Sequence, residues 1–406
     1  MLSGKIFIED KFKGGTLSEA IMYYNPTIST RTDFSTPFTT NTANTLYKAT
    51  ENATDVYYFA GQDTESTPIN NWVKFWKKNE CTYNGSTVLY FNGSSIVSVE
   101  NESQCLSSKI CKLGNQYGVG ETVTEDLCTS QGGEWTNQNA KWGISTYNLY
   151  WRIIRTNSDG GVRLLYHGTS TTATDAYIGT SVFNTNDDSP KYVGYMYGNS
   201  DATPEEARTN TNDSTIKTAI DNWYASNMTS YTKYLSTTAV YCNDREVGGR
   251  TYSAVGSDFY YAAYTRLDTN KTPTYDCTNN NDKFTVDASS GNGKLTYPIA
   301  LMTADEIAYA GGVFNSNAPM WYYTNSSLES STGTTYWWSL SPDGWYGYYA
   351  YQWGVGGSDY SGNLHGNNVN NLNGVRPTVS LKTCVQWKSG DGSAESPYEI
   401  AENGGC

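Results

Sequence analysis

Long apolar runs are missing from this chain. No stretch approaches the roughly 18 consecutive apolar residues of a membrane-spanning helix, and the opening MLSGKIFIEDKFKGG has no signal-peptide core. Export or membrane anchoring is therefore expected only through a segment outside this chain. Basic residues are also scarce: 27 Lys and Arg face 40 Asp and Glu, a formal charge of −13. Phosphate backbones and anionic bilayers would be repelled, so nucleic acid is not an expected partner.

No C-x-x-C pair occurs, and Cys105 to Cys111 is too wide for a zinc knuckle. The eight cysteines (Cys81, Cys105, Cys111, Cys128, Cys242, Cys277, Cys384 and Cys406) lie in polar, turn-rich surroundings. That suits disulfides in an oxidising compartment better than a metal site, and an extracellular or cell-surface location is expected. Spacing does not settle connectivity; the local pairs Cys242–Cys277 and Cys384–Cys406 are the expected ones.

Catalytic groups are equally few. His167 and His365 are the only histidines, so a Ser-His-Asp or Cys-His arrangement needs one of them. His167 ends the strand-like VRLLYHG, where a hydrogen-bonded structural role is expected, and His365 lies in a segment read below as variable. A position free to vary cannot be an obligatory base. Asp305 and Glu306 fit first-turn helix acids better than a glycosidase pair. The loops GGRTYS and YGVGE lack both G-x-G-x-x-G and a P-loop lysine. Neither enzymatic activity nor a cofactor or metal is expected.

What is present is aromatic. Mean hydropathy is −0.58, yet aromatics reach 14%, with 35 Tyr and 12 Trp, which points to a folded β-rich protein with a polar surface. Residues 1–54 read as a polar, extended or loosely packed lead-in with one short helix at Leu17–Tyr24. Strands are expected at Asp55–Gly61 and Asn71–Trp76, then a cysteine-bearing insertion over about 77–146. LYWRIIRTNSDGGVRLLYHG reads as a hairpin, because Asp and Gly tolerate the positive φ of its turn. Ser214–Met228 carries Ile216, Ala219, Ile220 and Trp223 at helical spacing, and Thr303 with Glu306 forms a capping box for a helix ending near Gly311. MWYYT (Met320–Thr324), YWWSL (Tyr336–Leu340) and GVRPTVSL (Gly374–Leu381) read as short strands. Pro377 limits the last to an edge or a strand start. Residues 383–406 read as a small hairpin or a linker tail.

Within Asp343–Asn373, 20 of 31 residues are Tyr, Asn, Gly or Ser, with no Lys, Arg or Glu. This is paratope chemistry: Tyr gives rigid amphipathic contact area, and Asn, Ser and Gly supply adaptable hydrogen bonds. WWSLSP and GVRPTVSL bracket the segment, placing a binding-type span on a patterned scaffold.

The combination of YWRIIR, YPIALMTADEIAYAG, WWSLSP and GVRPTVSL resembles bacterial surface domains of the C-type-lectin fold, related to the formylglycine-generating-enzyme group. Within that group it resembles target proteins of diversity-generating retroelements. The likeness spans about 55–382 without the insertion and is most specific over Tyr336–Leu381. It implies an α+β domain with a small antiparallel sheet, two flanking helices, long loops and a disulfide-braced insertion. It also implies a variable set whose Asn-derived codons yield Tyr, Asn, Ser, Asp, Gly and His: Tyr346, Tyr348, Tyr349, Tyr351, Ser358, Asp359, Asn363, His365, Asn368, Asn370 and Asn371. Trp337, Trp338, Trp353, Gly374 and Arg376 would be scaffold, with Trp345 and Gln352 also fixed. The ligand would be a protein or glycan on a cell, phage or host surface. Calcium-binding E-P-N, Q-P-D and W-N-D strings are missing, and no cysteine lies between Cys277 and Cys384, as the enzyme branch would require. A structural or pilus-like surface subunit of fixed adhesive specificity is the alternative.

Overall fold

The computed structural model describes residues 12–40, 42–99, 101–173, 176–322, 336–357, 360–402 and 406. The chain is mixed α+β, mostly strands with few helices, and carries four disulfides. The strand Lys141–Thr156 pairs antiparallel with Trp72–Tyr83 and with Val162–Gly168, which in turn pairs with Pro377–Leu381. Every residue of Val162–Gly168 and Pro377–Leu381 is buried, as expected of strands covered on both faces. Pro377 does open its strand. That strand is interior, however, with Val162–Gly168 on one side and Ile299–Leu301 on the other. An imino residue at the first position spares the ladder a missing donor.

The expected hairpin is present: the Asn157 amide donates to the Gly161 carbonyl at 2.8 Å, Asp159 Oδ1 accepts from the Gly161 amide at 2.8 Å, and Gly160 takes φ +81°. The helix Thr215–Asn227 starts at Ser214, whose hydroxyl accepts from the Lys217 amide, and buries Ile216, Ile220 and Tyr224. Trp223 is only partly buried. Ala304–Ala310 carries the Thr303/Glu306 capping box and stops at Gly311 with φ +123°.

Several expectations need correction. The lead-in is not loose: Leu17–Tyr24 is a capped helix burying Leu17, Ala20 and Ile21 in the main core, and Thr45–Glu51 pairs with Thr54–Tyr58. The sheet is not small. Described strands form a 15-stranded sheet and a 7-stranded sheet, which mix antiparallel and parallel pairs. Helices of seven or more residues number three among the described residues, the foreseen Leu17–Tyr24, Thr215–Asn227 and Ala304–Ala310, one more than the two flanking helices that the resemblance implies. Trp321 and Tyr322 form a turn and Met320 has no regular structure, so no strand is formed there, and Tyr323 and Thr324 lie outside the described residues.

The insertion extends one long hairpin, since Thr82 pairs with Lys141 at its base. It has its own small core of Val88, Ile110 and Val119, and Cys81–Cys105 and Cys111–Cys128 brace it. The two anticipated pairs, Cys242–Cys277 and Cys384–Cys406, are formed. Of the two readings of the tail, the hairpin holds: Trp387–Ser389 pairs with Tyr398–Ile400, which adds parallel to Trp72–Tyr83 with Tyr398 fully buried.

Charge inside this fold is organised around Glu306. Its Oε1 accepts from Arg155 Nε at 3.1 Å and Arg163 Nη1 at 2.8 Å, while Arg155 Nη2 reaches Glu51 at 2.8 Å. Burial would raise the Glu306 pKa, but Arg163 and Arg155 more than reverse this and hold it below the usual range. These contacts tie the helix Ala304–Ala310 to three strands. Glu306→Gln leaves Arg163 buried without a counter-charge, and unfolding in denaturant should show a loss of about 3–5 kcal/mol.

Candidate functional site

The strands Tyr336–Trp345, Ala350–Gly356 and Leu364–Asn368 form a meander in the second sheet. Trp337, Trp338, Trp345 and Trp353 are each at most 1% exposed, and they anchor it to the core. Trp338 Nε1 donates to the Ser181 carbonyl at 2.8 Å. Gly374 pairs with Trp337, and a Cβ there would sit 2.6 Å from the Tyr177 ring, so only glycine fits without a shift. Arg376 is fully buried and donates to the carbonyls of Tyr166 at 3.0 Å and Tyr322 at 2.5 Å, with Nη2 3.3 Å from His167 Nδ1. His167 is accordingly a buried structural residue, its pKa pushed far down first by burial and then by Arg376.

The residues expected to vary fall into distinct places. Tyr348 and Tyr349 project at 69% and 51% exposure from the hairpin tip, where Gly347 turns the chain at φ +74° and the Tyr346 amide donates to the Tyr349 carbonyl. Asn370 and Asn371 are exposed on the turn beside this tip, because Tyr351 pairs with Asn368. Tyr346, Tyr351 and Asn368 are half-buried at the same end. Asn368 and Asn370 both donate to Asp187 Oδ2, at 2.8 and 2.9 Å, so these amides already have a partner. His365 is half-buried at the opposite end of the ladder, with Nδ1 2.9 Å from Asn315 Oδ1. Asn363 is 4% exposed and donates to Asn317 Oδ1, so it belongs to the scaffold instead of the contact surface. Ser358 and Asp359 lie outside the described residues.

A chain of rings joins the two ends. Tyr351 meets Tyr346 at 4.8 Å, Tyr346 meets Tyr260 at 5.9 Å, and Tyr260 stacks on Tyr264 at 4.2 Å. Tyr264 then contacts Trp353 and Phe314, Phe314 stacks on His365, and His365 stacks on Tyr336. Tyr260, Tyr264 and Phe314 are half-buried members that sequence reasoning missed. The repeated tyrosines of YYAAY were the available signal, but they lie some 80 residues upstream of the segment.

Beneath these rings sits Asp343, 2% exposed. Pro342 pairs with Gln352 and Gly344 with Tyr351, which leaves Asp343 as the extra residue of a β-bulge. Bulges re-aim side chains. Gly366 leaves room for this one, since a Cβ there would lie 2.2 Å from Asp343 Oδ2. The Tyr346 hydroxyl donates to Oδ2 at 3.1 Å, and Oδ1 has no hydrogen-bond partner. Burial pushes this carboxyl up to about 7; the Tyr346 hydroxyl acts against the rise and Asp268 adds to it.

Between the unfolded value of 3.8 and about 7, only the folded state keeps the proton. Stability falls as pH rises through that window, by up to about 4 kcal/mol. Asp343→Asn should therefore gain stability relative to the parent as pH is raised from about 4.5 to about 8, measured by urea unfolding. A constant difference at both pH values would contradict this.

Comparison with protein-family models, with curated proteins and with solved structures finds no match to this chain.

Proposed function

We propose that this chain is an extracellular or surface-displayed ligand-binding protein of C-type-lectin type, whose recognition surface is carried by the meander from Tyr336 to Asn373. The observation that carries this reading is the division of labour within one hairpin. Its tryptophans are sunk in the core, while Tyr348 and Tyr349 stand out at 69% and 51% exposure on the tip between them. Exposed rings on a fixed framework give contact area at low entropic cost, which is the requirement for recognition. The surface extends to Tyr260, Tyr264 and Phe314 through ring contacts.

Resemblance to the targets of diversity-generating retroelements supports variation at the tip and the adjoining Asn368–Asn371 turn, with the buried Trp337, Trp338, Trp353, Gly374 and Arg376 constant. The ligand is then a protein or glycan on a cell, phage or host surface. Four disulfides favour an oxidising location. Among the described residues no helix is long and apolar enough to cross a membrane. A fixed-specificity structural subunit is the second reading, favoured by the hairpin tail that Cys384–Cys406 staples to the main sheet.

A photo-crosslinking residue placed at Tyr348 or Tyr349, with Leu106 on the insertion as an exposed control, tests the assignment on intact cells. A discrete adduct from the tip positions alone is expected. The double variant Tyr348→Ala/Tyr349→Ala should lose capture of that ligand more than tenfold, as central aromatic anchors do. Its melting temperature should stay within about 2 °C, because exposed side chains contribute little to stability. Equal adducts from Leu106 and the tip would move the site elsewhere.

A further inference from the structure

Among the described residues the buried carboxylates are Glu51, Asp282, Asp305, Glu306 and Asp343. Glu51 and Glu306 are held by Arg155, and Glu306 also by Arg163. Asp282 is held by Arg245 at 2.7 Å and Asp305 by Arg266 at 2.8 Å. Asp343 has no cationic partner among the described residues. It is also the one that lies under the aromatic surface, with one carboxyl oxygen unpartnered. A buried carboxylate is ordinarily paired, and the exceptions call for a reason.

The surroundings supply one. Tyr346, Tyr351 and Tyr264 are close enough to interact electrostatically with Asp343, and Asp268, near both Tyr264 and Asp343, adds a second acid. Asp187 adds a third negative group near Tyr351. The cations of this region are committed elsewhere: Lys271 lies 3.7 Å from Asp268, and Arg250, more than half exposed, lies 3.5 Å from Asp258 with its guanidinium over the Tyr260 ring. Ring faces and carboxylates together favour a positive charge.

The geometry points to Asp343, framed by Tyr264, Tyr346 and Tyr351, as a subsite for a cation brought by the ligand: the lysine ammonium or arginine guanidinium of a basic protein partner. This inference rests on the recognition surface proposed above and names the chemistry that one part of it selects. In the free protein the Tyr346 hydroxyl occupies the place of that cation on Oδ2. Exchange of this neutral donor for a charged one gives a hydrogen bond roughly twice as strong. The chain's charge of −13 steers a basic partner toward it. The carboxyl's position near neutrality adds a pH dependence: the ionised form binds the cation, so affinity rises with pH through about 7.

The test uses the full chain and small probes. Butylammonium and ethylguanidinium chlorides, which reproduce the two side chains, are titrated against neutral 1-butanol and followed by the NMR signals of the Trp345 and Trp353 indoles. Both cations should saturate with millimolar Kd at about pH 8, at least tenfold tighter than butanol, and should weaken at about pH 5.5. Asp343→Asn should remove the preference for the cations. Tyr346→Phe keeps the ring but removes the competing hydroxyl, so it should bind the cations several-fold more tightly. Butanol binding as well as butylammonium, or unchanged cation affinity in Asp343→Asn, overturns the subsite. Failure of both cations to bind also overturns it, whatever Tyr348→Ala/Tyr349→Ala does to ligand capture. Loss of capture in that double variant would leave the wider recognition surface standing without the subsite.

Discussion

Glu306 occupies the point where the helix Ala304–Ala310 meets the central strands, and its position is set by two independent requirements. As the third helical residue it caps the Thr303 amide, at 3.0 Å, and as a carboxylate it neutralises Arg155 and Arg163. Arg163 has Glu306 as its counter-charge, whereas Arg155 also has Glu51, and a buried charge left uncompensated costs several kcal/mol. Arg155 continues the chain to Glu51, and this draws in the Thr45–Glu51 strand. Arg266 makes a parallel connection from Asp305 to Asp244, beside the Cys242–Cys277 disulfide. The interior is held in register by these charges as well as by apolar packing, and each of them has its complement, while the buried Arg376 is held by the Tyr166 and Tyr322 carbonyls instead.

The meander departs from that rule. Asp343 Oδ1, Trp345 Nε1, Gln352 Oε1, Trp353 Nε1, Asn367 Nδ2 and Asn373 Nδ2 are all buried without a hydrogen-bond partner. Places where local rules are broken while the rest of a fold obeys them tend to be functional. Here the concentration of such atoms coincides with the exposed tyrosine tip. Among the described residues 12 of 19 such atoms lie outside 343–373, both amide atoms of Asn157 among them, so the segment is the densest cluster of them and not the sole one.

Much of this was legible in the residues. The Asn157–Gly161 hairpin, the helix within Ser214–Met228, the Thr303 capping box and two of the four disulfides were readable because each is a local event: a turn needing positive φ, an apolar stripe at helical spacing, a hydroxyl with a glutamate three residues on, or two cysteines in nearby polar loops. The buried arginine now at Arg376 and the sunken Trp337, Trp338 and Trp353 were expected from a family resemblance, and composition alone would not have placed them. Illegible were the long-range facts. Nothing local in Thr45–Glu51 says that its last residue will meet Arg155, and the polar look of the first 50 residues hid this strand and the docking of the foreseen Leu17–Tyr24 helix on the main core. Asn363 looked like its exposed neighbours because burial of an amide depends on the opposing loop, here Asn317. Asp343 was seen only as a boundary of the tyrosine-rich segment; its isolation from cations emerges when the arginines of distant segments are found to be occupied.

The most direct measurement of the central claim is deep sequencing of this gene across one population, comparing codons for 343–373 with those flanking them. The account predicts substitutions concentrated at adenine-bearing codons of the tip and its adjoining turn, among them Tyr348, Tyr349, Asn370 and Asn371. Trp337, Trp345, Trp353, Gly374 and Arg376 should be unchanged. A segment as constant as its flanks in an actively diversifying population would contradict a variable recognition surface and leave a fixed structural subunit.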